Sequence, residues 1–208
     1  MARFDDHPTG KNGVARGDTC HLDVIDKWGN MISITPSGGW LQSSPVIPEL
    51  GFCLNTRAQM FWLNENTPSK LEPGKRPRTT LTPSLCLKDG EPYMAFGTPG
   101  GDQQDQWSLH LFLHHVHHGH NLQEAIDAPE FHTDHFASSF YPRAANPGGL
   151  AMEARFPAET ITELERSGHK VRVEDDWAIG RTTAASKQGK ILKAAASPRH
   201  MQGYAVGR

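Results

Sequence analysis

Long apolar runs, an excess of positive charge and paired cysteines are all scarce in this chain of 208 residues. No stretch approaches the roughly 20 consecutive apolar residues that a membrane span needs. The start, Met1-Ala2-Arg3-Phe4-Asp5-Asp6-His7-Pro8, is polar and has no signal-peptide apolar region. Neither a membrane span nor an export signal is expected in this segment. Lys and Arg number 21 against 23 Asp and Glu, a net charge of −2, so the basic footprint that phosphate neutralisation demands is missing and nucleic acid is not expected as a partner. Cys20, Cys53 and Cys86 are an odd number at wide spacing among apolar or strand-forming residues, which predicts buried thiols rather than a disulfide framework. The same odd count favours a reducing, cytoplasmic compartment. What is present is an ordinary globular mixture: 37% apolar residues and 20 glycines are enough for a real core.

Residues 1–18 are rich in Gly, Asp, Arg and Asn and are expected to form a flexible leader; an ordered domain is expected over 19–208. Cys20 to Ile25 alternates apolar and polar residues, Asp26-Lys27-Trp28-Gly29-Asn30 supplies turn chemistry, and Met31 to Thr35 resumes the strand pattern, which predicts a hairpin. A short strand is expected at 51–55, then a loop from Asn64 to Arg78, and loops of that length are usually functional. A second hairpin spans Pro83 to Phe96, turning at Asp89-Gly90. Helical spacing from Gln104 to His118 places Trp107, Leu111, Phe112 and Val116 on one face, and Leu122 to Ala128 reads as a short helix stopped by Pro129. The last third predicts a strand at 150–155, a helix with Pro157 in its first turn and Gly168 past its end, a strand at 169–173, and a hairpin over Thr182–Ala196 turning at Gln188-Gly189. These elements together read as a layered α/β domain.

Three constellations carry chemistry. A threonine hydroxyl needs a base beside it, and an N-terminal threonine supplies its own: the α-amine, with a reference pKa of about 7.7–8.0, is partly neutral near pH 7. Cleavage before Thr19, in Gly17-Asp18-Thr19-Cys20-His21, would create that amine; the structural alternative is a threonine that merely opens a strand. Gly100-Gly101 sits between a strand and a helix, where backbone N–H groups suit an oxyanion, although glycines there also serve a tight turn. His110, His114 and His118 recur every four residues, a spacing for metal ligands or for a solvated helix face.

Five ordered blocks then carry a family resemblance: Gly17-Asp18-Thr19-Cys20-His21, Asp26-Lys27-Trp28-Gly29-Asn30, Pro73 to Pro83, Gly97-Thr98-Pro99-Gly100-Gly101 and Asn121 to Pro129, with Ser197-Pro198-Arg199 near the end. In this order they resemble the small subunit of γ-glutamyltransferases. The resemblance implies an αββα sandwich of the N-terminal-nucleophile hydrolase type, left incomplete without a large subunit from the same precursor. It implies autoproteolysis before Thr19 and attack of that threonine on a γ-glutamyl amide such as glutathione, with water or an amino acid as acceptor and no cofactor or metal. By position, Thr19 is the nucleophile, Ser37 its hydroxyl support, Gly100 and Gly101 the oxyanion hole, and Thr79 and Thr80 the contacts to a substrate carboxylate.

Where the family holds the glutamyl ammonium with Asn, Gln and Asp, this sequence has Gly39, Arg57 and Met60. An arginine repels an ammonium and suits a carboxylate. A glutaryl or cephalosporin-type acylase of the same family is therefore the alternative to γ-glutamyl transfer, and an inactive fragment without its large subunit is another. Asp102 is read either as a substrate-binding residue or as a helix cap, Asp105 as a solvated polar residue, and Trp40 and Trp62 as pocket lining or packing.

Overall fold

A computed structural model describes residues 19–38, 46–201 and 203–207. The expected leader, Gly39 and Trp40 lie outside the described residues. Strand β1 (Leu22–Ile25) and strand β2 (Met31–Ile34) form the expected antiparallel hairpin. Its turn is closed by Asp26, whose Oδ1 accepts the Trp28 and Asn30 N–H groups at 2.9 Å, while Gly29 takes a positive φ of 92°. Strands β3 (Val46–Ile47) and β4 (Phe52–Cys53) are a two-residue pair. Residues 64–78 carry no strand or helix, as expected of a loop.

The main sheet contains β5 (Ser84–Lys88), β6 (Glu91–Gly97), β10 (Thr183–Gln188) and β11 (Ile191–Ala196), ordered β11-β10-β6-β5 and antiparallel throughout. The β5–β6 turn places Asp89 and Gly90 at φ 54° and 83°, the left-handed pair that a two-residue hairpin turn requires. One face of this sheet is covered by α1 (Gln104–Val116) and α2 (Leu122–Asp127). There Met94, Phe96, Ala184 and Ala195 pack with Leu111, Leu122, Ala125 and Ile126 in one buried cluster. Helix α2 starts in a capping box: the Asn121 side chain accepts from the Gln123 and Glu124 N–H groups, and Glu124 accepts from the Asn121 N–H.

The hairpin β1–β2 packs on the opposite face, against β10, β6 and β5. Its inward residues are largely polar: His21 and Asp23, with Ser33 and Thr35 from β2 and the turn beyond it. Its outward residues are apolar, and Leu22, Val24, Ile32 and Ile34 are 44, 51, 44 and 39% exposed. This reverses the usual alternation of a one-sided sheet.

A third sheet, β7 (Phe131–Thr133), β8 (Gly149–Glu153) and β9 (Lys170–Glu174), has β8 in the middle, fully buried and parallel to β9. Helix α3 (Ala158–Arg166) packs against β9. Glu153, on β8, joins the third sheet to the helices. Its carboxylate meets Arg199 Nε at 2.7 Å and Arg155 Nη2 at 2.6 Å, and the two arginines also donate to the carbonyls of Ile126, Asp127 and Ala128 at the end of α2. Cations there complement the helix dipole. Glu153 and Arg199 are both almost fully buried. Burial opposes ionisation of Glu153, but the bonds from Arg199 and then Arg155 outweigh it and hold its pKa below the ordinary carboxylate value. Glu153→Ala is expected to cost about 3–5 kcal/mol in urea unfolding, because Arg199 keeps a buried, uncompensated charge. With the native pKa lowered, this carboxylate stabilises the fold above its unfolded pKa, and the contribution is lost as pH falls through the native value. An unfolding midpoint independent of the substitution would refute the assignment.

Several expectations need correction. Cys20 is exposed, and Cys53 and Cys86 are only half-buried, so the thiols are free but not core groups. Val116 points outward at 41% exposure, as do Leu109 and Leu113; the buried face of α1 is Gln104, Trp107, Ser108 and Leu111. Pro157 is the N-cap of α3, one residue before its first turn. The last hairpin turns at residues 189–190.

Candidate active site

Thr19 lies just before β1, and the hairpin register places it. Leu22 pairs with Ile34 and Asp23 with Ser33, so the pairing continued toward the open end sets Cys20 against Pro36 and Thr19 against Ser37. The Cys20 N–H donates to the Pro36 carbonyl at 3.1 Å, and Thr19 Oγ1 and Ser37 Oγ are 2.7 Å apart. The Arg57 guanidinium donates through Nη2 to the same Ser37 oxygen. Arginine only donates, so Ser37 Oγ accepts from Arg57, and its single hydroxyl proton is compatible with donation to Thr19.

Arg57 opens a short 3-10 turn, Arg57–Met60, that docks on the strand end: the Thr56 N–H donates to the Gly38 carbonyl at 2.8 Å, and Asn55 Oδ1 accepts the Arg57 N–H at 2.9 Å. Gly38 is required there. Its φ is 134°, and a Cβ would lie 2.7 Å from Asn55 Cβ. Met60, which ends this turn, is fully buried.

The His21 ring packs against Gly97 at the end of β6; a Cβ on Gly97 would meet His21 Cε1 at 2.4 Å. The end of β6 that leads into Pro99-Gly100-Gly101 is thereby held close to the Thr19 strand. His21 Nδ1 lies 2.7 Å from Thr35 Oγ1 and Nε2 lies 3.0 Å from both Asp23 carboxylate oxygens; Asp23 also accepts from the Thr183 hydroxyl at 2.7 Å. His21 and Asp23 thus tie the hairpin to the main sheet; two residues from Thr19, His21 shares its face of the strand, and its ring nitrogens are engaged by Thr35 and Asp23.

Gly100 and Gly101 take φ of 141° and 72° at the turn into α1. A Cβ on Gly100 would lie 2.2 Å from Trp107 Cζ3, so both the conformation and the close approach of the indole demand glycine. Thr80 is 6% exposed and its Oγ1 has no hydrogen-bond partner among the described residues, a buried hydroxyl awaiting an acceptor or donor. Thr79 is exposed, and its Oγ1 accepts the Leu81 N–H at 3.1 Å. The Asp102 carboxylate is engaged by Ser138, Ser139 and Arg78. Asp105 is exposed and bonds to the Gln106 N–H of its own helix. The Trp62 ring lies under the Arg143 guanidinium, 4.8 Å from its centroid.

The histidines of α1 are spoken for singly. His110 Nδ1 bonds Glu130 at 2.7 Å, and His115 bridges the Tyr93 hydroxyl and the His120 carbonyl. His114 stacks on His120 and neighbours His118; burial first, and then these neighbouring imidazoles, lower its pKa. Among the described residues no group of three His, Cys, Asp or Glu is arranged to hold a metal ion, and no helix is long and apolar enough to cross a membrane.

Two arginines beside the site had no motif to announce them. Arg181, at the entry to β10, is pulled below the usual guanidinium range by burial, with the Cys20 thiol opposing, and its N–H donates to Thr98 Oγ1 at 3.3 Å. Arg143 reaches across from a distant loop to the turn that carries Arg57.

The backbone matches LmbA2991HD with a TM-score of 0.83 at 59% identity, covering 91% of this chain and 34% of that one. Among curated relatives, the glutathione hydrolase-like YwrD proenzyme of Bacillus subtilis is 34% identical over 195 residues, covering 91% of this chain and 36% of the relative. The oxamate amidohydrolase proenzyme of Klebsiella pneumoniae is 32% identical over 200 residues, 94% of this chain and 36% of the relative. Both relatives are proenzymes named for hydrolase activities, and the α/β fold and these likenesses together point to one enzyme class. The gamma-glutamyltranspeptidase family model matches residues 4–207, and the chain belongs to that family. It spans about a third of the length of these relatives.

Proposed function

We propose that this chain is the nucleophile-bearing part of an N-terminal-threonine amidohydrolase, formed by autoproteolysis before Thr19, that cleaves an amide whose acyl group ends in a carboxylate. The observation that carries this reading is the Thr19–Ser37–Arg57 chain of contacts, which sets a guanidinium beside the candidate nucleophile. In the reaction, Thr19 Oγ1 attacks the amide carbon as its proton passes to the new α-amine. Gly100 and Gly101 N–H groups receive the oxyanion, the leaving amine takes up a proton, and water or an amino acid resolves the acyl-threonine. The buried hydroxyl of Thr80 and the side chain of Arg57 receive the acyl carboxylate.

Oxamate is itself an amide with a carboxylate on its acyl group, and the relative named for it supports this class of donor. The γ-glutamyl donors implied by the glutathione hydrolase-like relative are the second reading, favoured by the hydroxyls of Thr79 and Thr80. A γ-glutamyl group adds an ammonium, which Arg57 disfavours. The rest of the precursor covers the outward face of β1–β2, where Leu22, Val24, Ile32 and Ile34 stand exposed, and supplies the second helical layer of an αββα sandwich. Intact-mass measurement of the complete protein should find a chain that begins at Thr19. Assays of glutaryl against γ-glutamyl p-nitroanilide should favour the first. An active protein that remains uncut would sink the mechanism, and a preference for γ-glutamyl would sink the choice of donor.

A further inference from the structure

Asp102 follows the paired glycines directly, yet its carboxylate is directed at a surface loop. Oδ2 accepts from the Ser139 N–H at 2.8 Å and from the Ser138 hydroxyl at 3.2 Å; Oδ1 accepts from the Ser139 hydroxyl and meets Arg78 Nη2 at 3.5 Å. Arg78, which precedes Thr79 and Thr80, also donates to the Ala137 carbonyl at 3.1 Å. At the other end of the same loop, Arg143 donates to the Ser139 carbonyl and reaches the Gln59 and Phe61 carbonyls at 2.7 and 2.9 Å. Those two carbonyls belong to the turn that starts at Arg57. Residues 137–143 are therefore a strap fastened at three places: the glycine turn through Asp102, the Thr79–Thr80 segment through Arg78, and the Arg57 turn through Arg143.

The strap is held under load. Arg143 is a non-glycine residue at φ 66°, a strained conformation that persists only where the surroundings over-determine it. Burial, and then the nearby Arg78, lower the pKa of Arg143, and Asp102 is the carboxylate that opposes them. Without Asp102, the Arg78 guanidinium, the Ser138 and Ser139 hydroxyls and the Ser139 N–H lose their shared acceptor, Arg143 loses a nearby opposite charge, and the strap loses the anchor nearest the glycine pair.

We propose that Asp102 is a positioning residue that does not touch the substrate: through the 137–143 strap and Arg143 it fixes where Arg57 stands relative to Ser37 and Thr19, and so sets selectivity for a carboxylate-bearing acyl group. This rests on the proposed role of Arg57. A displacement of about 1 Å costs up to about a hundredfold in a reacting site, and a smaller shift of Arg57 corresponds to about tenfold.

The test uses the complete protein and two substrates, glutaryl and uncharged valeryl p-nitroanilide, with amide hydrogen exchange as an independent readout. Asp102→Ala is expected to lower the glutaryl-to-valeryl ratio of kcat/KM about tenfold, chiefly through KM, and to speed exchange of the amides at 57–62. Arg143→Gln, cut at the far end of the strap, should do the same, and the two together should be no worse than either. In an Arg57→Gln background, Asp102→Ala should leave the ratio unchanged. An equal loss on both substrates, an effect additive with Arg57→Gln, or unchanged exchange at 57–62 would overturn the proposal. If Arg57→Gln alone leaves the ratio unchanged, the reading of Arg57 fails, and the exchange at 57–62 still decides whether Asp102 holds that turn.

Discussion

Thr19→Ala is expected to leave the precursor uncut and to lower amide turnover by about ten-thousandfold or more, the scale seen when a covalent nucleophile is removed. Ser37 Oγ is already 2.7 Å from the Thr19 hydroxyl, and Arg57 occupies the acceptor side of that serine, so the hydroxyl network is oriented around one oxygen. Alanine removes that oxygen and leaves the hairpin register intact, because the backbone bond from Cys20 to Pro36 does not involve the side chain. Thr19→Ser retains the oxygen and should still be cut and turn over. Intact mass reports the cut, and p-nitroanilide release reports the turnover. A Thr19→Ala protein with undiminished turnover would remove threonine from the mechanism.

Arg57→Gln is the change expected to redirect the enzyme. Losing one partner of a desolvated charge pair costs about 2–5 kcal/mol, so kcat/KM for a glutaryl anilide should fall about a hundredfold against an uncharged acyl anilide. Turnover of a γ-glutamyl anilide should rise, because the positive charge that opposes its ammonium is gone. The neutral amide keeps a donor within reach of Ser37, so the nucleophile retains part of its support. An unchanged ratio between the charged and uncharged donors would mean that Arg57 serves only Ser37.

Both hairpins next to the site were legible because local chemistry determines them. Cys20 to Thr35 alternates around the Asp26-Lys27-Trp28-Gly29-Asn30 turn, and Asp89-Gly90 takes positive φ at both residues. The capping box at Asn121 and Glu124 is a short-range signal of the same kind. Strand β7 was not foreseen, since three residues after Pro129 are too few to show a period of two. On α1 only Val116 was misplaced: it lies one turn beyond Phe112, with Leu109 and Leu113 on a side of the helix that the described residues leave uncovered. Thr19, Ser37 and Arg57 could be named from ordered motifs, but not the contact between Arg57 and Ser37. The strap was invisible for a plainer reason. Arg143 binds carbonyls 82 and 84 residues away, and a carbonyl belongs to every residue type, so no side-chain pattern marks the partner.

The pairing of Thr19 with Ser37 has one more consequence. Chain ends ordinarily fray, and an amine that swings freely would spend little of its time near any one hydroxyl. Here the Cys20 N–H, next to the proposed cut, is tied to Pro36, and the Thr19 side chain is tied to Ser37. An end released before Thr19 is thus immobilised as it forms, and its amine meets its own hydroxyl at an effective concentration far above that of any dissolved base.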